Sequence, residues 1–260
     1  MKFIRYFELH DQSWMPKFLR QGVTDYLSQL LNYYQLYQPA TFLLAKLIQT
    51  TGYNKLIDFC SGSGGMLMGL QQTLQKEYNL TITMELTDKF PHPILTTNSD
   101  LSISYQPLPV DVLHTNQPYH AIRTLFTAFH HFNPQEAFQI LSQAVNNNDP
   151  IAIFEFNERS WKRCLLDCII PFSVFHLTPK IKPTSKKRFI FTYLLPILPI
   201  MIWWDGIVSN IRTYSVDELK TFVANLEASH YHWQIGKVPA GLRFYPITYL
   251  IGWPKEKKHV

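Results

Sequence analysis

The chain has little cysteine, little charge and no uninterrupted apolar run long enough to cross a membrane. Its three cysteines, Cys60, Cys164 and Cys168, are too few for a disulfide framework and suit a reducing compartment. No histidine or further cysteine accompanies Cys164 and Cys168 at ligand spacing, so we predict no metal site. Internal repeats and low-complexity tracts are absent as well, which excludes repeat architectures.

Charged residues make up only 17% of the 260 residues, and the formal net charge is +5. This mild basic excess is typical of solvated lysines, and attraction to an anionic membrane surface is the alternative. Basic and aromatic residues do not interleave along any segment, so we expect no nucleic-acid partner. The opening MKFIRYFELHD becomes acidic and polar too early for a signal peptide. We therefore expect a cytoplasmic location, with membrane association as a further possibility.

Short apolar segments alternate with helical patterns through the first 157 residues. KLIDF, LTITMELTDKF, LSISYQPLPVD, AIRTLFTAF and PIAIFEF predict five strands. QPATFLLAKLIQTTG, MLMGLQQTLQKEYN and NPQEAFQILSQAVNN predict helices, the last with Asn133 as its cap and Pro134 in its first turn. This alternation predicts an α/β fold with a mainly parallel sheet that is covered on both faces.

The next part of the chain is more apolar. RSWKRCLLDCIIPFSVF predicts a helix, and FIFTYLLPILPIMIWW is apolar for about 16 residues. A helix that spans a membrane needs about 20 residues, and Pro196 and Pro199 interrupt this one. Asp205 and Gly206 follow and predict a turn.

The last part of the chain predicts one helix and a hairpin. YSVDELKTFVANLEAS is amphipathic and begins with a capping box from Ser215 to Glu218. HWQIGKVPAGLRFYPITYLIGWP predicts two antiparallel strands. We therefore predict a single domain over 1–260, with an N-terminal helical extension at 1–38 and an inserted apolar lid at 160–212.

A glycine-rich turn follows the first predicted strand in the segment LIDFCSGSGG, which runs from Leu56 to Gly65. Glycine has no Cβ, so its backbone N–H groups can approach a ligand closely. No lysine follows Gly65, which excludes a phosphate loop, and Leu67 stands where a dinucleotide site has its third glycine. A turn needed only for packing is the alternative interpretation.

Four polar residues stand at or just after the ends of predicted strands, namely Asp58, Asp88, Asp111 and His130. Ligands of open α/β sheets bind beyond the carboxyl ends of the strands, so these side chains predict one binding site. In the alternative interpretation the acids are ordinary strand-end residues. The histidine pair can likewise place one ring in the core, because alternate strand residues point to opposite faces.

DFCSGSGG resembles the first motif of the class I S-adenosylmethionine-dependent methyltransferases, an acid followed by G-x-G. LTDKF, PVDV, FHHFNPQEAFQIL and PIAIFEF are similar to that family's later strand segments. DFCSGSGG, TLFTAFHHF and WDGIVSNIRTYS together look like a bacterial subgroup without a defined substrate. The resemblance covers about 40–157 and the last strands, with NNNDP in place of a PGG-like turn. It implies a Rossmann-like fold, a mainly parallel seven-stranded sheet with an antiparallel last strand and helices on both faces.

The resemblance further implies S-adenosyl-L-methionine as the cofactor and S-adenosyl-L-homocysteine as its product. The glycine turn would cradle the amino-acid part of the cofactor, Asp88 would accept hydrogen bonds from the ribose hydroxyls, and Asp111 would meet the adenine amino group. Val112 would pack on the adenine ring. The complete implied set is Asp58, Ser61, Gly62, Ser63, Gly64, Asp88, Lys89, Asp111, Val112 and Phe129.

Methyl transfer is an in-line displacement that mainly requires donor and acceptor to be held near contact. A histidine can act as a general base toward a hydroxyl acceptor near pH 7, so we predict His130 and His131 as the catalytic residues. We predict Glu155, Asp205 and Arg212 as substrate-binding residues. An acceptor that is already nucleophilic needs no catalytic residue at all.

The apolar segment 172–204 has three interpretations: a buried lid, the wall of a pocket for an apolar substrate, or a peripheral membrane contact beside the basic run 180–188. We predict a methyltransferase of EC class 2.1.1 that acts on a small, apolar molecule, without a prediction of oligomeric state. The alternatives are a non-catalytic protein that binds the cofactor and a membrane-peripheral protein on the same fold.

Overall fold

A seven-stranded sheet forms the centre of the computed structural model, which describes residues 6–91, 102–115, 117–241 and 246–255. The strands are β1 (Lys55–Phe59), β2 (Thr83–Thr87), β3 (Ile103–Tyr105), β4 (Ile122–Phe126), β5 (Ile151–Glu155), β6 (Tyr231–Pro239) and β7 (Pro246–Pro254). Their order is β3-β2-β1-β4-β5-β7-β6, and β7 runs antiparallel to the other six strands described. The predicted fold class, including the closing antiparallel hairpin, is confirmed.

The helices begin and end mostly where local signals predict. They are α1 (Lys17–Tyr33), α2 (Thr41–Thr51), α3 (Gly65–Tyr78), α4 (Pro134–Asn147), α5 (Trp161–Leu166), α6 (Ile170–Leu177), α7 (Lys186–Phe189), α8 (Ile197–Arg212) and α9 (Val216–Asn225). Asn133 caps α4 and Ser215 caps α9, each in a reciprocal capping box with a glutamate three residues on. A short π-helical turn, Ile190–Leu194, follows α7.

Both faces of the sheet are buried, as a parallel sheet requires. Alternate residues of β5 show this: Ala152 and Phe154 pack with side chains of α2 and α3. Ile151 and Ile153 pack with side chains of α4 and α9 on the opposite face. The two helical layers thereby hold the ends of the central strands in a fixed position.

A third apolar cluster joins the N-terminal helix to the segment after β5. Tyr26 of α1, Val174 of α6 and Ile202 of α8 belong to it. The helices approach closely at Gly22, where an added Cβ would lie 2.8 Å from a methyl group of Leu198. Helices that are far apart in the sequence, α1 on one side and α6 and α8 on the other, therefore pack together.

Several predicted boundaries differ from the structure. β2, β3 and β4 are shorter than their predicted segments. The predicted turn at Asp205 and Gly206 is wrong, because both residues lie inside α8. The Asp205 carboxylate accepts the backbone N–H groups of Leu9 at 2.6 Å and His10 at 3.2 Å. These tertiary contacts, together with the close approach of Ile170 to Gly206, outweigh the local turn preference.

Among the residues that the structure describes, no single helix is both long enough and apolar enough to cross a membrane. The stretch Lys186–Leu194 and helix α8 reach that length and composition only as a pair, and they are bent by 79°. The break between them falls at Pro196, where the sequence predicts an interruption.

Candidate active site

An open cavity of about 740 Å³ lies at the carboxyl ends of β1, β2 and β4. This volume falls within the range of about 300–1,000 Å³ that is usual for small-molecule sites. The turn at 60–67 and the residues after β2 form one side, and the residues after β4 form another. α1, α6 and α8 contribute side chains that cover it. The cavity therefore occupies the sheet edge at which the sequence predicts a ligand.

The glycine turn has the backbone that this sequence requires. Gly62 (φ +55°) and Gly64 (φ +65°) are both left-handed, and Gly64 caps α3. The N–H of Gly62 donates to Oδ2 of Asp88 at 2.8 Å, which ties the turn to the end of β2. An added Cβ on Gly65 would collide with the hydroxyl of Ser28 on α1. The turn is thus held between a strand end and a helix.

Asp58 lies buried beneath this turn, with 3% of its surface exposed. The hydroxyl of Ser61 donates to its Oδ2 at 2.6 Å, and that of Thr124 donates to its Oδ1 at 2.7 Å. Burial raises the pKa of Asp58 to about 7, although both hydrogen bonds act in the opposite direction. None of the described lysines, arginines or histidines forms an ion pair with it, so this carboxylate lies at the cavity without a cation.

Asp88 follows β2 and lines the cavity beside the glycine turn. Its Oδ1 accepts the N–H of Phe90 at 2.7 Å, and its Oδ2 accepts the N–H of Gly62. Burial raises the pKa of Asp88 despite these two hydrogen bonds. A carboxylate oxygen has two lone pairs, so each oxygen can accept a second hydrogen bond from a ligand.

Not every residue of the implied cofactor set lines this cavity. Asp111 instead pairs with Lys89 at 2.9 Å and accepts the N–H of Leu113 at 3.1 Å. Burial alone would raise the pKa of Asp111, but the hydrogen bond from Lys89 lowers it. Val112 and Phe129 are buried in the apolar cluster under α4. The structure thus brings together Asp58, 61–64, Asp88 and Lys89, and places the other three residues behind them.

His130 lines the opposite side of the cavity and has a fixed orientation. Its Nδ1 lies 2.9 Å from Oε2 of Glu155, and Oε1 of Glu155 accepts the backbone N–H groups of Phe129 at 2.6 Å and His130 at 3.2 Å. A carboxylate only accepts, so we assign the proton to Nδ1 and the lone pair to Nε2. Glu155, predicted to bind substrate, lies behind the histidine and outside the cavity lining.

His131 contacts the N-terminal segment. Its Nδ1 lies 2.8 Å from Oδ2 of Asp11 and 3.7 Å from Oε2 of Glu8. Burial alone would lower the pKa of His131, but these carboxylates raise it to about 10. The guanidinium of Arg212 donates to the carbonyl of His131 and lies 3.5 Å from Oε1 of Glu8, so this predicted substrate-binding residue serves the same cluster.

The N-terminal residues Glu8, His10 and Asp11 line the cavity, and sequence patterns did not predict a role for them. His10 Nδ1 lies 2.9 Å from Oδ2 of Asp205, which fastens the segment to α8. Burial would lower the pKa of His10, but the hydrogen bond with Asp205 raises it. Three titratable residues within four positions are a sequence pattern that could have indicated a functional segment. Their contact with His131, 120 residues later, is a tertiary fact that no local pattern encodes.

Two further polar residues of the cavity come from the segment after β5. The guanidinium of Arg163 lies 4.3 Å from the centre of the Phe156 ring and 3.7 Å from Oδ1 of Asp167. Asp167 accepts a hydrogen bond from Asn210 of α8, and burial raises its pKa to about 6. The sequence interpretation treated this segment as apolar and missed both residues.

Two strand ends at the cavity have left-handed backbone at residues other than glycine. Cys60 follows β1 with φ +58°, and Thr127 follows β4 with φ +51°. Such a conformation is especially uncommon for a β-branched residue, and the hydroxyl of Tyr37 holds Thr127 in place by a hydrogen bond. Backbone strain of this kind concentrates at functional sites.

Comparisons with known proteins bear on this geometry. No model of a protein family matches the chain, and no curated protein matches it. The structure of human N-acetylserotonin methyltransferase in complex with SAM is similar at a TM-score of 0.50 and 10% identity, over 90% of this chain and 56% of that one. The plantazolicin methyltransferase BpumL in complex with SAH is similar at 0.48 and 11% identity, over 92% of this chain and 96% of that one. An O-methyltransferase family protein from Burkholderia thailandensis is similar at 0.43 and 14% identity, over 85% of this chain and 57% of that one.

The chain thus spans little more than half of two of these three proteins. At such low identities the similarity concerns the fold alone. The inference about the fold rests on the human enzyme, which has the highest TM-score of the three. The strand order β3-β2-β1-β4-β5-β7-β6 with an antiparallel β7 and the cavity at the carboxyl edge agree with it. The chain therefore has the fold of the class I S-adenosylmethionine-dependent methyltransferases.

Proposed function

We propose that the protein transfers a methyl group from S-adenosyl-L-methionine to a small acceptor. The observation that carries the proposal is one continuous cavity, which joins the glycine turn and Asp88 to His130 and Glu8. A bisubstrate reaction needs this arrangement, because both partners must lie near contact and in line. The shared fold supports the reaction class.

The first half of the cavity fits the cofactor. Asp58 is a buried carboxylate without a described cation, and the ammonium group of S-adenosylmethionine would supply one. Asp88 can accept hydrogen bonds from two ribose hydroxyls, because each of its oxygens retains a lone pair. Gly62 and Gly64 leave room that a Cβ would fill. When bound, the cofactor supplies an electrophilic methyl group on its sulfonium.

The second half of the cavity combines polar and apolar surface, which suits an apolar acceptor with one polar end. Phe156, Ile170 and Ile202 line the apolar part. At the polar end, the Nε2 lone pair of His130 can take the proton of an acceptor hydroxyl. Glu155 orients the ring for this and stabilises the imidazolium that results.

Transfer of label from methyl-labelled S-adenosylmethionine to small molecules of a cell extract tests this function. We expect labelled small molecules with the unaltered chain and none with Asp88→Ala. His130→Ala should reduce labelling while cofactor binding persists. His176→Ala is the matched control, because this exposed histidine of α6 lies outside the cavity lining. Cofactor binding without any labelled product would instead support the non-catalytic alternative.

We also propose that the segment 161–204 contacts an anionic lipid surface. It has a dozen exposed large apolar side chains, including Trp161, Phe172 and Leu194, each more than 70% exposed. The same stretch contains seven lysines and arginines and a single acid, Asp167, which is buried. Exposed lysines at 180, 182, 186 and 187 accompany the apolar side chains. Apolar side chains with basic neighbours are typical of interfacial membrane binding.

Flotation with liposomes tests the membrane contact. We expect the chain to float with vesicles of phosphatidylcholine and phosphatidylserine, and less with phosphatidylcholine alone. The double variant Phe172→Ser and Leu194→Ser should stay in the bottom fraction. Leu108→Ser is the matched control, because Leu108 is 72% exposed and lies outside this segment. A chain that never floats with anionic vesicles contradicts the proposal and leaves the methyltransferase proposal intact.

A further inference from the structure

Two buried acceptor atoms face each other at the polar end of the cavity. Oε1 of Glu8 lies 3.5 Å from Nε2 of His130, and both side chains are 1% exposed. Within the described residues neither atom has a hydrogen-bond partner. An unpaired buried polar atom is costly, and a buried charge without close compensation costs more. This pair therefore calls for a cation between the two atoms.

The hydrogen bonds behind His130 strengthen this conclusion. Glu155 accepts the proton of Nδ1, so Nε2 directs a lone pair toward the Glu8 carboxylate. A histidine that donates Nδ1–H to a carboxylate and directs Nε2 elsewhere has the usual arrangement of a metal-binding imidazole. Glu155 is itself fixed by two backbone N–H groups, so the ring orientation is built in before any ion binds.

A third ligand lies next to this pair. Nδ1 of His131 is 3.7 Å from Oε2 of Glu8, and the candidate atoms of Glu8, His130 and His131 all lie within 4.8 Å of one another. Ligands about 2.0–2.1 Å from a tetrahedral ion lie about 3.3–3.4 Å apart. The separations of 3.5 and 3.7 Å are too long for hydrogen bonds and close to this value.

We propose that Glu8, His130 and His131 bind one divalent first-row transition-metal ion and leave its fourth position open. Nδ1 of His131 lies at hydrogen-bond distance, 2.8 Å, from Oδ2 of Asp11, so its proton must leave when the ion binds. Mixed imidazole and carboxylate ligands favour ions such as Zn²⁺, Fe²⁺ and Co²⁺ over Mg²⁺ or Ca²⁺.

The charge of the surroundings agrees with a cation. Four carboxylates, those of Glu8, Asp11, Glu155 and Asp205, surround the histidines, and the permanent cations described beside them are Arg212 and Arg20. Arg212 approaches Glu8 only to 3.5 Å, which is beyond good hydrogen-bond distance. In the competing interpretation, protonated histidines and these two arginines alone compensate the charge of these carboxylates. That interpretation predicts no metal binding.

The ion would also have a role in the reaction, a point that rests on the proposed function. It lies at the acceptor end of the cavity, where it would bind an acceptor oxygen and lower the pKa of its hydroxyl. The lone pair of His130 then serves as a ligand, and the ion replaces the free imidazole as the group that activates the acceptor.

Titration of the chelator-treated full chain with Co²⁺, without S-adenosylmethionine, tests binding by visible absorption. We expect one equivalent to bind with the intense d–d bands of a four-coordinate site, and Zn²⁺ to displace it. Glu8→Gln should weaken binding at least about tenfold, and Glu155→Gln, which disturbs the orientation of His130 without removing a ligand, about tenfold. His176→Ala and the double variant Cys164→Ser and Cys168→Ser should bind as the unaltered chain does.

The proposal is overturned if millimolar Co²⁺ produces no d–d bands and Zn²⁺ displaces no bound metal. It is also overturned if the double variant Cys164→Ser and Cys168→Ser no longer binds Co²⁺. The measurement on the unaltered chain decides this even if Glu8→Gln fails to fold. Metal binding without methyl transfer supports the site and contradicts the proposed function. Methyl transfer by a chain that cannot bind Co²⁺ supports the proposed function and contradicts the metal site. The two proposals can therefore fail independently.

Discussion

Glu155 holds His130 from behind: Oε2 of the carboxylate lies 2.9 Å from Nδ1 of the ring, and Oε1 accepts the N–H of the same residue at 3.2 Å. The contact joins the end of β5 to the segment after β4 and fixes where Nε2 points. The orientation of a histidine that lines the cavity is thus set by a residue that does not line it.

Glu155→Gln should lower the free energy of unfolding by about 1–3 kcal/mol, because a buried charge-assisted acceptor is replaced by an amide that must face Nδ1–H. Glu158→Gln is the control: its carboxylate pairs with Lys237 at the surface, so its loss should cost less than about 1 kcal/mol. Urea unfolding measures both variants. Equal losses for the two would contradict a special role for Glu155.

Asp58 should make stability depend on pH. Its pKa is about 7 in the folded chain and about 4 when unfolded, so its contribution is fully present below pH 4 and is lost as the pH rises to 7. The loss amounts to at most about 4 kcal/mol. Between pH 5 and pH 8 the unaltered chain should therefore lose stability relative to Asp58→Asn in urea unfolding. A difference that does not change with pH rules out the raised pKa.

Asp88→Asn should weaken binding of S-adenosylhomocysteine about 10- to 100-fold, because hydrogen bonds to a charged acceptor contribute about 1.5–3 kcal/mol. Asp111→Asn should weaken it less than about threefold, since Asp111 is paired with Lys89 and lies outside the cavity lining. Calorimetric titration compares the two. A larger loss of affinity in Asp111→Asn than in Asp88→Asn would instead support the contact between Asp111 and the adenine amino group that the family resemblance implies.

Two glycines of α3 should respond oppositely to alanine. Gly65→Ala should destabilise the chain by about 1–3 kcal/mol, because the new methyl group would displace Ser28 and α1. Gly69→Ala should stabilise it by up to about 1 kcal/mol, because its nearest neighbour would be 3.8 Å away and alanine favours helix. Thermal unfolding of the two variants checks this. Similar effects would show that α1 does not pack on the glycine turn.

Local chemistry predicts much of the fold. The turn at Gly62 and Gly64, the capping boxes at Asn133 and Ser215, and the strand-end position of Asp88 follow from side-chain properties that act within a few residues. The closing hairpin is equally local. These features have a sequence signature because the interactions that create them are close along the chain.

The polar end of the cavity has no such signature. Glu8 meets His130 across more than 120 residues, and Asp205 lies inside α8 because it binds the N–H groups of Leu9 and His10. Asp111 pairs with Lys89, which follows the neighbouring strand β2. The contacts of the N-terminal segment accompany the packing of α1 against α6 and α8, which single-sequence patterns do not encode.

Thermal unfolding with S-adenosylhomocysteine tests the central claim, that the cavity is a cofactor site, most directly. At about 100 times its dissociation constant the ligand should stabilise the chain by about 2.7 kcal/mol, which raises the midpoint by about 5–10 °C. Asp88→Ala should abolish the rise, and adenosine alone should give less. An unchanged midpoint at millimolar S-adenosylhomocysteine would contradict the account.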